Sequence, residues 1–336
     1  MTKPIAVIIL NWNGAAMLQE FLPKVIASTD TSLAEIIVAD NGSDDNSMTL
    51  LADDFPQIKV IRFDQNYGFA EGYNRAIQNI PNPYVILLNS DVAPAPDWIG
   101  PLYRYMEAHP QTGACQPKIL SYRQPDLLEY AGACGGFLDK NGFPYCRGRI
   151  FADSETDHGQ YDSIASIFWA SGAALTMRTD IYRQLGGLDP LFFAHMEEID
   201  LCCRMLNAGW RVCAVTDSKV YHVGGASLNQ GNPRKTYLNF RNNLLLLHKN
   251  LTRRRGRRVL FLRRLADTLA FGMFLLKGDM ANARAVLRAH RDFRKMRREY
   301  TLYPDRDILP TLPGSDLNAV TARYLQRKKV LKIKEK

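Results

Sequence analysis

"VILLNSDVAPAPDW", residues 85–98, decides the fold. Val85–Leu88 are four apolar residues in succession, the signature of a strand covered on both faces. Asn89, Ser90 and Asp91 follow at once, and Pro94 and Pro96 punctuate the exit. A carboxylate is thus delivered to the end of a core strand. The segments upstream repeat the device. "IAVIIL" (5–10) runs into Asn11, "EIIVAD" (35–40) ends in Asp40, and "IKVIRF" (58–63) is a third strand. Helical spacing fills the gaps at 15–28, with Pro23 inside as a possible bend, at 45–55 and at 69–80. Strands alternating with helices predict a mainly parallel central sheet with helices on both faces. Such sheets bind ligands outside the carboxyl ends of their strands, so Asn11, Asp40 and Asp91 are expected on one rim. One polar residue at a strand end is explained by turn formation alone; three are not.

Beyond residue 100 the signals are weaker. Residues 101–165 are irregular, rich in Gly, Pro and Tyr. A strand is expected at 173–177, then a short helix closed by Gly186 and Gly187. A helix from about Met196 to Ala208 is stopped by Gly209, and two short strands lie within 211–225, where His222 falls. From Tyr237 the pattern is helical and increasingly basic. The expected organisation is a catalytic domain over 1–250 (donor-binding half about 1–100, acceptor half about 101–250), basic amphipathic helices over 251–300, and a loop with a Lys-rich tail over 301–336.

The 336 residues are 46% hydrophobic and 23% charged, ordinary for a globular chain. The net charge of +9 is uneven: residues 251–300 hold 15 Lys/Arg against 4 Asp/Glu, while residues 1–250 carry a net −6. That asymmetry points to an anionic partner surface. No nucleic-acid module accompanies it, so a membrane surface is expected and nucleic acid is not. The longest uncharged run in 253–278, Thr268–Leu276, is too short to span a bilayer. Either this helix lies on anionic lipid, or its Leu and Phe residues pack on the catalytic domain while the arginines face water. The six cysteines form no C-x-x-C pair and no signal peptide precedes the first strand, so thiols in a reducing cytosol are expected.

The chain lacks the G-x-G-x-x-G, G-x-x-x-x-G-K-[ST] and G-x-S-x-G patterns, which argues against dinucleotide enzymes, P-loop enzymes and α/β-hydrolases. Asp91, beside an amide and a hydroxyl, suits Mg²⁺ or Mn²⁺, which take one or two protein carboxylates and fill their shell with phosphate oxygens. His222 reads either as a second ligand or as a hydrogen-bonded core histidine. Glu197, Glu198 and Asp200 open a helix. They read either as partners of the helix dipole or as the half-buried carboxylates a general base requires.

With these residues in view, the chain resembles the family-2 glycosyltransferases of bacterial polysaccharide assembly, especially their rhamnosyltransferase branch. The matching pieces are "VIILNWNG" (7–14), "IIVADNGSDD" (36–45), "NYGFAEGYNRAI" (66–77), "VILLNSDV" (85–92), "SGAALTMRTDIYRQLGGLDPLFF" (171–193), "MEEIDLCCRMLNAGW" (196–210) and "YHVGGAS" (221–227). The resemblance implies a GT-A nucleotide-diphospho-sugar transferase fold and an inverting, metal-dependent transfer from a nucleotide-diphospho-sugar to a saccharide or lipid-linked acceptor. It implies that Asp40 contacts the nucleobase with Asn11 near it, and that Asn66, Gly68, Phe69 and Asn74 shape the nucleotide pocket. Asp91 would hold Mn²⁺ or Mg²⁺ under the diphosphate, with His222 as a further ligand. Asn89 and Asp200 join the substrate-binding set. Glu198 stands where the family usually has Asp and is the expected base, with Glu197 as the alternative. Arg241 and Asn242 match a stretch near the acceptor end. The branch favours dTDP-L-rhamnose, and the family's lipid-linked acceptors imply a cytoplasmic enzyme peripheral on the inner membrane. The alternative is a catalytically inactive nucleotide-sugar or membrane-surface binding protein on the same fold.

Overall fold

The computed structural model describes residues 2–130, 132–150, 153–224, 231–311, 314, 316–319 and 321–326. The first hundred residues fold as the strand–helix alternation predicts: β1 (Ile5–Asn11), α1 (Ala15–Ser28), β2 (Ala34–Asp40), α2 (Ser47–Asp54), β3 (Lys59–Arg62), α3 (Gly68–Ile77) and β4 (Tyr84–Leu88). Pro23 sits inside α1 without dividing it. A short β5 (Val92–Pro94), α4 (Ile99–Ala108) and β6 (Thr112–Ser121) follow. A small antiparallel sheet comes next: β7 (Gly136–Leu138), β8 (Pro144–Cys146), β9 (Arg149–Ile150) and β10 (Asp153–Ser154). Then come β11 (Ala165–Ser166), β12 (Ala174–Arg178), α5 (Thr179–Gln184), α6 (Glu197–Asn207) and β13 (Arg211–His222). Three long helices close the chain: α7 (Pro233–Asn250), α8 (Arg253–Leu276) and α9 (Met280–Met296).

The main sheet runs β11-β13-β6-β12-β4-β1-β2-β3, with β5 paired to β13. The strands β3, β2, β1, β4, β6 and β13 share one direction, and β12, β5 and β11 oppose it. The sheet is therefore mainly parallel, as expected. Its register sets Asn11 opposite Asp40 at the carboxyl ends of β1 and β2, and His222 opposite Val92 of β5 and Ser121 of β6. The strand cores are wholly covered: Val85, Ile86, Leu87 and Leu88 have no exposed surface. Burying each such side chain stabilises the fold by roughly 1.5–3 kcal/mol. That fixes the height at which the polar rim leaves the sheet.

The irregular stretch 101–165 holds more order than its sequence suggests. β6 is ten residues long and almost entirely buried although it contains Gln116, Pro117 and Lys118. The Lys118 ammonium donates to both Asp157 oxygens (2.9 and 2.8 Å) and to Asp162, which is what allows it inside. Residues 211–222 form one strand, its register interrupted between Ala214 and Lys219, where two short strands are expected from sequence. The segment after α9 is also packed. Ile308 and Leu309 are buried, the Tyr145 hydroxyl donates to the Gly314 carbonyl (2.9 Å), and Asp139 Oδ2 accepts from the Ala319 amide (2.9 Å). The Lys-rich tail, 327–336, lies outside the described residues. All six cysteines are buried free thiols.

Candidate active site

The rim above β1 and β2 is a closed hydrogen-bond unit. Asp40 is buried. Its Oδ1 accepts from Asn11 Nδ2 (3.0 Å) and its Oδ2 from the Ser43 amide (3.1 Å). Asn13, Ser43 and Asp44 tie the two loops together. Asn11 Oδ1 is buried and unpartnered, a free acceptor beside the carboxylate. Trp12, 56% exposed, stands next to it. Neither Trp12 nor Ser43 follows from the strand pattern, although an exposed aromatic at a strand exit is itself a signal.

A second unit lies above β2 and α3. The Asn41 amide donates to Asn66 Oδ1 (3.0 Å) and to the Gly68 carbonyl (3.1 Å), and its oxygen accepts from the Tyr67 amide (3.0 Å). Asn66 Oδ1 also takes the Gly68 amide (2.8 Å). Gly68 has φ 79°, and a Cβ there would lie 2.9 Å from the Phe193 ring, so only glycine allows α3 to start against that ring. Phe69 packs edge-on against Tyr73. Asn74 is engaged within the protein. Its oxygen accepts from the Leu188 amide (2.9 Å) and the Tyr182 hydroxyl (2.5 Å), while its amide donates to the Leu188 carbonyl (2.7 Å). That bonding holds the 185–189 turn on α3.

The exit of β4 meets the end of β13. Asp91 Oδ1 lies 3.1 Å from His222 Nε2, and Asn89 Nδ2 lies 3.3 Å from the same nitrogen. On the other side His222 Nδ1 is 3.5 Å from Glu129 Oε1. Burial works against charge on His222, but the two carboxylates overcome it and raise the imidazole to about 10. Asp91 is buried, which alone would raise it; its bond to His222 holds it below the usual carboxylate range. Glu129, from the irregular stretch, is a neighbour the sequence reading does not supply. Of "YHVGGAS", residues 225–227 lie outside the described residues. No cluster of three or more His, Cys, Asp or Glu suited to a metal occurs among the described residues. The pair does fit two sites of a shared shell. Ligands at 2.0–2.1 Å in an octahedron stand about 3 Å apart when adjacent, close to the Asp91–His222 separation.

The third unit is the entrance to α6. Phe193, His195 and Met196 all have positive φ (63°, 68° and 72°), a costly conformation for side-chain-bearing residues, and Glu197 and Glu198 follow directly. The strained turn is held from behind by α7. Asn242 Nδ2 donates to the carbonyls of Phe192 (3.0 Å), Ala194 (2.8 Å) and His195 (2.6 Å), and Arg241 Nη2 donates to those of Leu191 (2.9 Å) and Phe192 (2.8 Å). Arg241 is thus a brace of the loop, where the resemblance places it in the substrate-binding set. Asp200 is corrected likewise. It is fully buried, accepting from Arg204 (2.8 Å), Lys249 (2.9 Å) and Asn250 (2.7 Å), and it ties α6 to α7 out of a substrate's reach. Burial would raise it, but Arg204 and Lys249 hold it low.

Glu197 and Glu198 behave differently. Each leaves Oε2 buried without a partner. Glu197 is almost wholly buried; burial and then the charge of Glu198 push it well above the carboxylate range. Glu198 is half-buried, and burial raises it to about 7. A Cβ on Gly172 would sit 3.4 Å from Phe69 and 3.9 Å from the Glu198 Cβ. Ala173, the next residue, accepts the Asn89 amide at 3.0 Å. Glu198 is therefore two backbone steps from Asn89, and Asn89 touches His222. His195, with Nε2 buried and unpartnered and its imidazole lowered to about 4 by burial and then by Lys235, completes the turn.

The model of the family "Glycosyl transferase family 2" matches residues 6–162. The chain is similar to an N-acetylglucosaminyl-diphospho-decaprenol L-rhamnosyltransferase of Mycobacterium tuberculosis, 26% identical over 240 residues, covering 66% of this chain and 76% of that protein. It is similar, at 22% identity, to the low-salt glycan biosynthesis hexosyltransferase Agl10 of Haloferax volcanii, covering 73% of this chain and 76% of the relative. Among solved structures, S. aureus TarS 1-349 in complex with UDP-GlcNAc shares the fold at a TM-score of 0.57 and 15% identity, over 87% of this chain and 80% of that one. The mannosyltransferase PcManGT from Pyrobaculum calidifontis, with GDP-Man and Mn2+, does so at 0.54 and 12%, over 87% of each. Residues 6–162, which carry the rim above β1, β2 and β4, thus match glycosyl transferase family 2, a family of sugar-transferring enzymes, and the fold is the GT-A fold of the solved glycosyltransferases.

Proposed function

We propose that the protein is an inverting, metal-dependent glycosyltransferase that moves L-rhamnose from dTDP-L-rhamnose to a lipid-linked saccharide at the cytosolic face of a membrane, in cell-surface polysaccharide synthesis. One observation carries the reading. A half-buried carboxylate with a free oxygen, Glu198, packs beside Gly172, whose neighbour Ala173 binds Asn89, and Asn89 touches His222 of the Asp91–His222 pair on the carboxyl rim of the sheet. The donor choice draws on the rhamnosyltransferase among the relatives, whose name also specifies a diphospho-lipid acceptor.

The residues divide the work. Asp40, Asn11 and Trp12 face the nucleobase end. Asn41 and Asn66 fix the start of α3, and with it Gly68 and Phe69 at the pocket wall. Asp91 and His222 would hold Mn²⁺ or Mg²⁺, which neutralises charge growing on the departing diphosphate. Glu198 takes the proton of the acceptor hydroxyl as that oxygen attacks the anomeric carbon from the face opposite the diphosphate. Glu197, deeper and held protonated, repels no second charge onto Glu198. No covalent enzyme intermediate is needed, and positioning with charge stabilisation supplies the rate. Residues 1–250 carry this chemistry. The helical extension over 251–300 rests on anionic lipid: Phe261, Leu265, Leu269, Met273 and Leu276 are exposed on α8 among Arg254, Arg257, Arg258 and Arg264. No helix among the described residues is long and apolar enough to cross a membrane.

A thermal-shift panel of dTDP-, UDP- and GDP-sugars with Mn²⁺ tests the donor, and proton NMR of the product tests inversion. The reading expects stabilisation by dTDP-L-rhamnose above the others, dependent on Mn²⁺ or Mg²⁺, and a product anomer opposite to the donor's. Retention of configuration, or equal response with and without cation, would overturn it.

A further inference from the structure

Beside the strained turn lies a cavity of about 640 Å³ between α7 and α9, a size ordinary for a small-molecule site. Its walls carry Arg234 and Arg241 from α7, Arg284 and Arg288 from α9, with Tyr237 and Phe193 between them. The guanidiniums are set against aromatic faces: Arg234 lies 5.2 Å from the Phe193 ring centre, Arg288 4.8 Å and Arg241 5.2 Å from that of Tyr237. Among the described residues, neither Arg234 nor Arg284 forms a salt bridge. The acid nearby, Asp292, is engaged by Tyr237 (3.0 Å), Arg291 (3.0 Å) and Arg288 (3.6 Å). Four guanidiniums in one concave wall exceed what the protein itself neutralises, and forked donors suit phosphate oxygens.

The groove adjoins both the active site and the apolar stripe. Phe193, in its wall, also covers Gly68 at the donor pocket, and Arg241, at its floor, braces the turn that presents Glu198. At its other end Ala281 follows Met280, an exposed apolar residue just beyond Leu276 at the end of the α8 stripe. We propose that this arginine groove binds the diphosphate of a lipid-linked acceptor, with the lipid leaving along the α8 stripe and the acceptor sugar reaching Glu198. The proposal rests on the glycosyltransferase reading above and names the acceptor class for that same site. A free nucleotide donor would instead bind at the Asp91–His222 rim, so the two subsites carry separate tests.

The test is binding of the full chain to phosphatidylcholine vesicles doped with a few per cent polyprenyl diphosphate, against vesicles doped with the same mole fraction of phosphatidylglycerol. Arg284 and Arg288 are exposed, so R284E/R288E reverses charge at the mouth of the groove, and R284K/R288K, which keeps the charge while giving up the Arg288 contact with Tyr237, is its conservative partner. The expected result is a tenfold or greater preference of native protein for the diphosphate vesicles. It should be abolished in R284E/R288E, largely kept in R284K/R288K, and not competed by inorganic pyrophosphate at concentrations near the vesicle midpoint. Equal preference in native protein and R284E/R288E, equal sensitivity of phosphatidylglycerol binding to the charge reversal, or full competition by pyrophosphate would each overturn the proposal. Donor binding to native protein is titrated in parallel. Its failure there would strike the nucleotide-sugar reading and leave the groove result standing.

Discussion

At the scale of the residue, Glu198 decides the account. Burial holds its carboxyl at about 7 with one oxygen unpartnered, the state of a base poised near neutrality. Below about pH 7 the group keeps its proton and cannot accept another, so turnover should climb about tenfold per unit up to pH 7 and level off above it, read from a pH–rate profile under saturating donor. The stability consequence has the opposite sign. A carboxyl whose folded pKa exceeds its usual 4.5 opposes folding once ionised; the cost is absent below pH 4.5 and complete above pH 7. Glu198→Gln should therefore raise the unfolding free energy at pH 8, by up to about 3 kcal/mol, and leave it unchanged at pH 4, where calorimetry can compare the two. Asp91→Ala leaves His222 a single carboxylate, Glu129. Mn²⁺-dependent stabilisation by donor should vanish while folding persists, an outcome a paired thermal shift with and without cation will show.

At the scale of the element, the entrance to α6 is bought with strain and secured by α7. Three positive-φ residues in four would cost about 1–3 kcal/mol each on their own. The Asn242 amide meets three of the turn's carbonyls. Asn242→Ala should lose roughly 1–3 kcal/mol of stability and lower kcat more than it raises donor KM, because it misplaces Glu198 without touching the nucleotide. Helix α8 divides by length. Val259, Leu260, Arg263 and Asp267 are buried, and beyond Asp267 no residue of the helix is. The reading in which the helix packs on the catalytic domain thus holds for its first part, while the rest is exposed. Replacing Leu265, Leu269 and Met273 by Ser should leave the melting temperature within a degree or two and weaken binding to phosphatidylglycerol vesicles at least tenfold in co-sedimentation.

At the scale of the molecule, what could be read from the sequence follows the range of the forces. The parallel half was legible because "IAVIIL", "EIIVAD" and "VILLN" each bury an uninterrupted apolar run, and their exits had to share a rim. Strand β6 was not, because Gln116, Pro117 and Lys118 read as loop until Asp157 and Asp162 arrive from forty residues away. Glu129 stayed hidden for the same reason. Asp200 reads as a ligand-facing group from sequence because a buried clasp and a binding group share one residue type, and only its partners tell them apart. The whole fold brings Asp40, Asp91, His222 and Glu198, scattered from position 40 to position 222 of the chain, to one edge. The most direct test is Glu198→Gln beside the native protein, with dTDP-L-rhamnose affinity and turnover measured on the same samples in Mn²⁺. The account predicts affinity within about twofold and turnover lower by 10²–10⁴; turnover within threefold of native would contradict it.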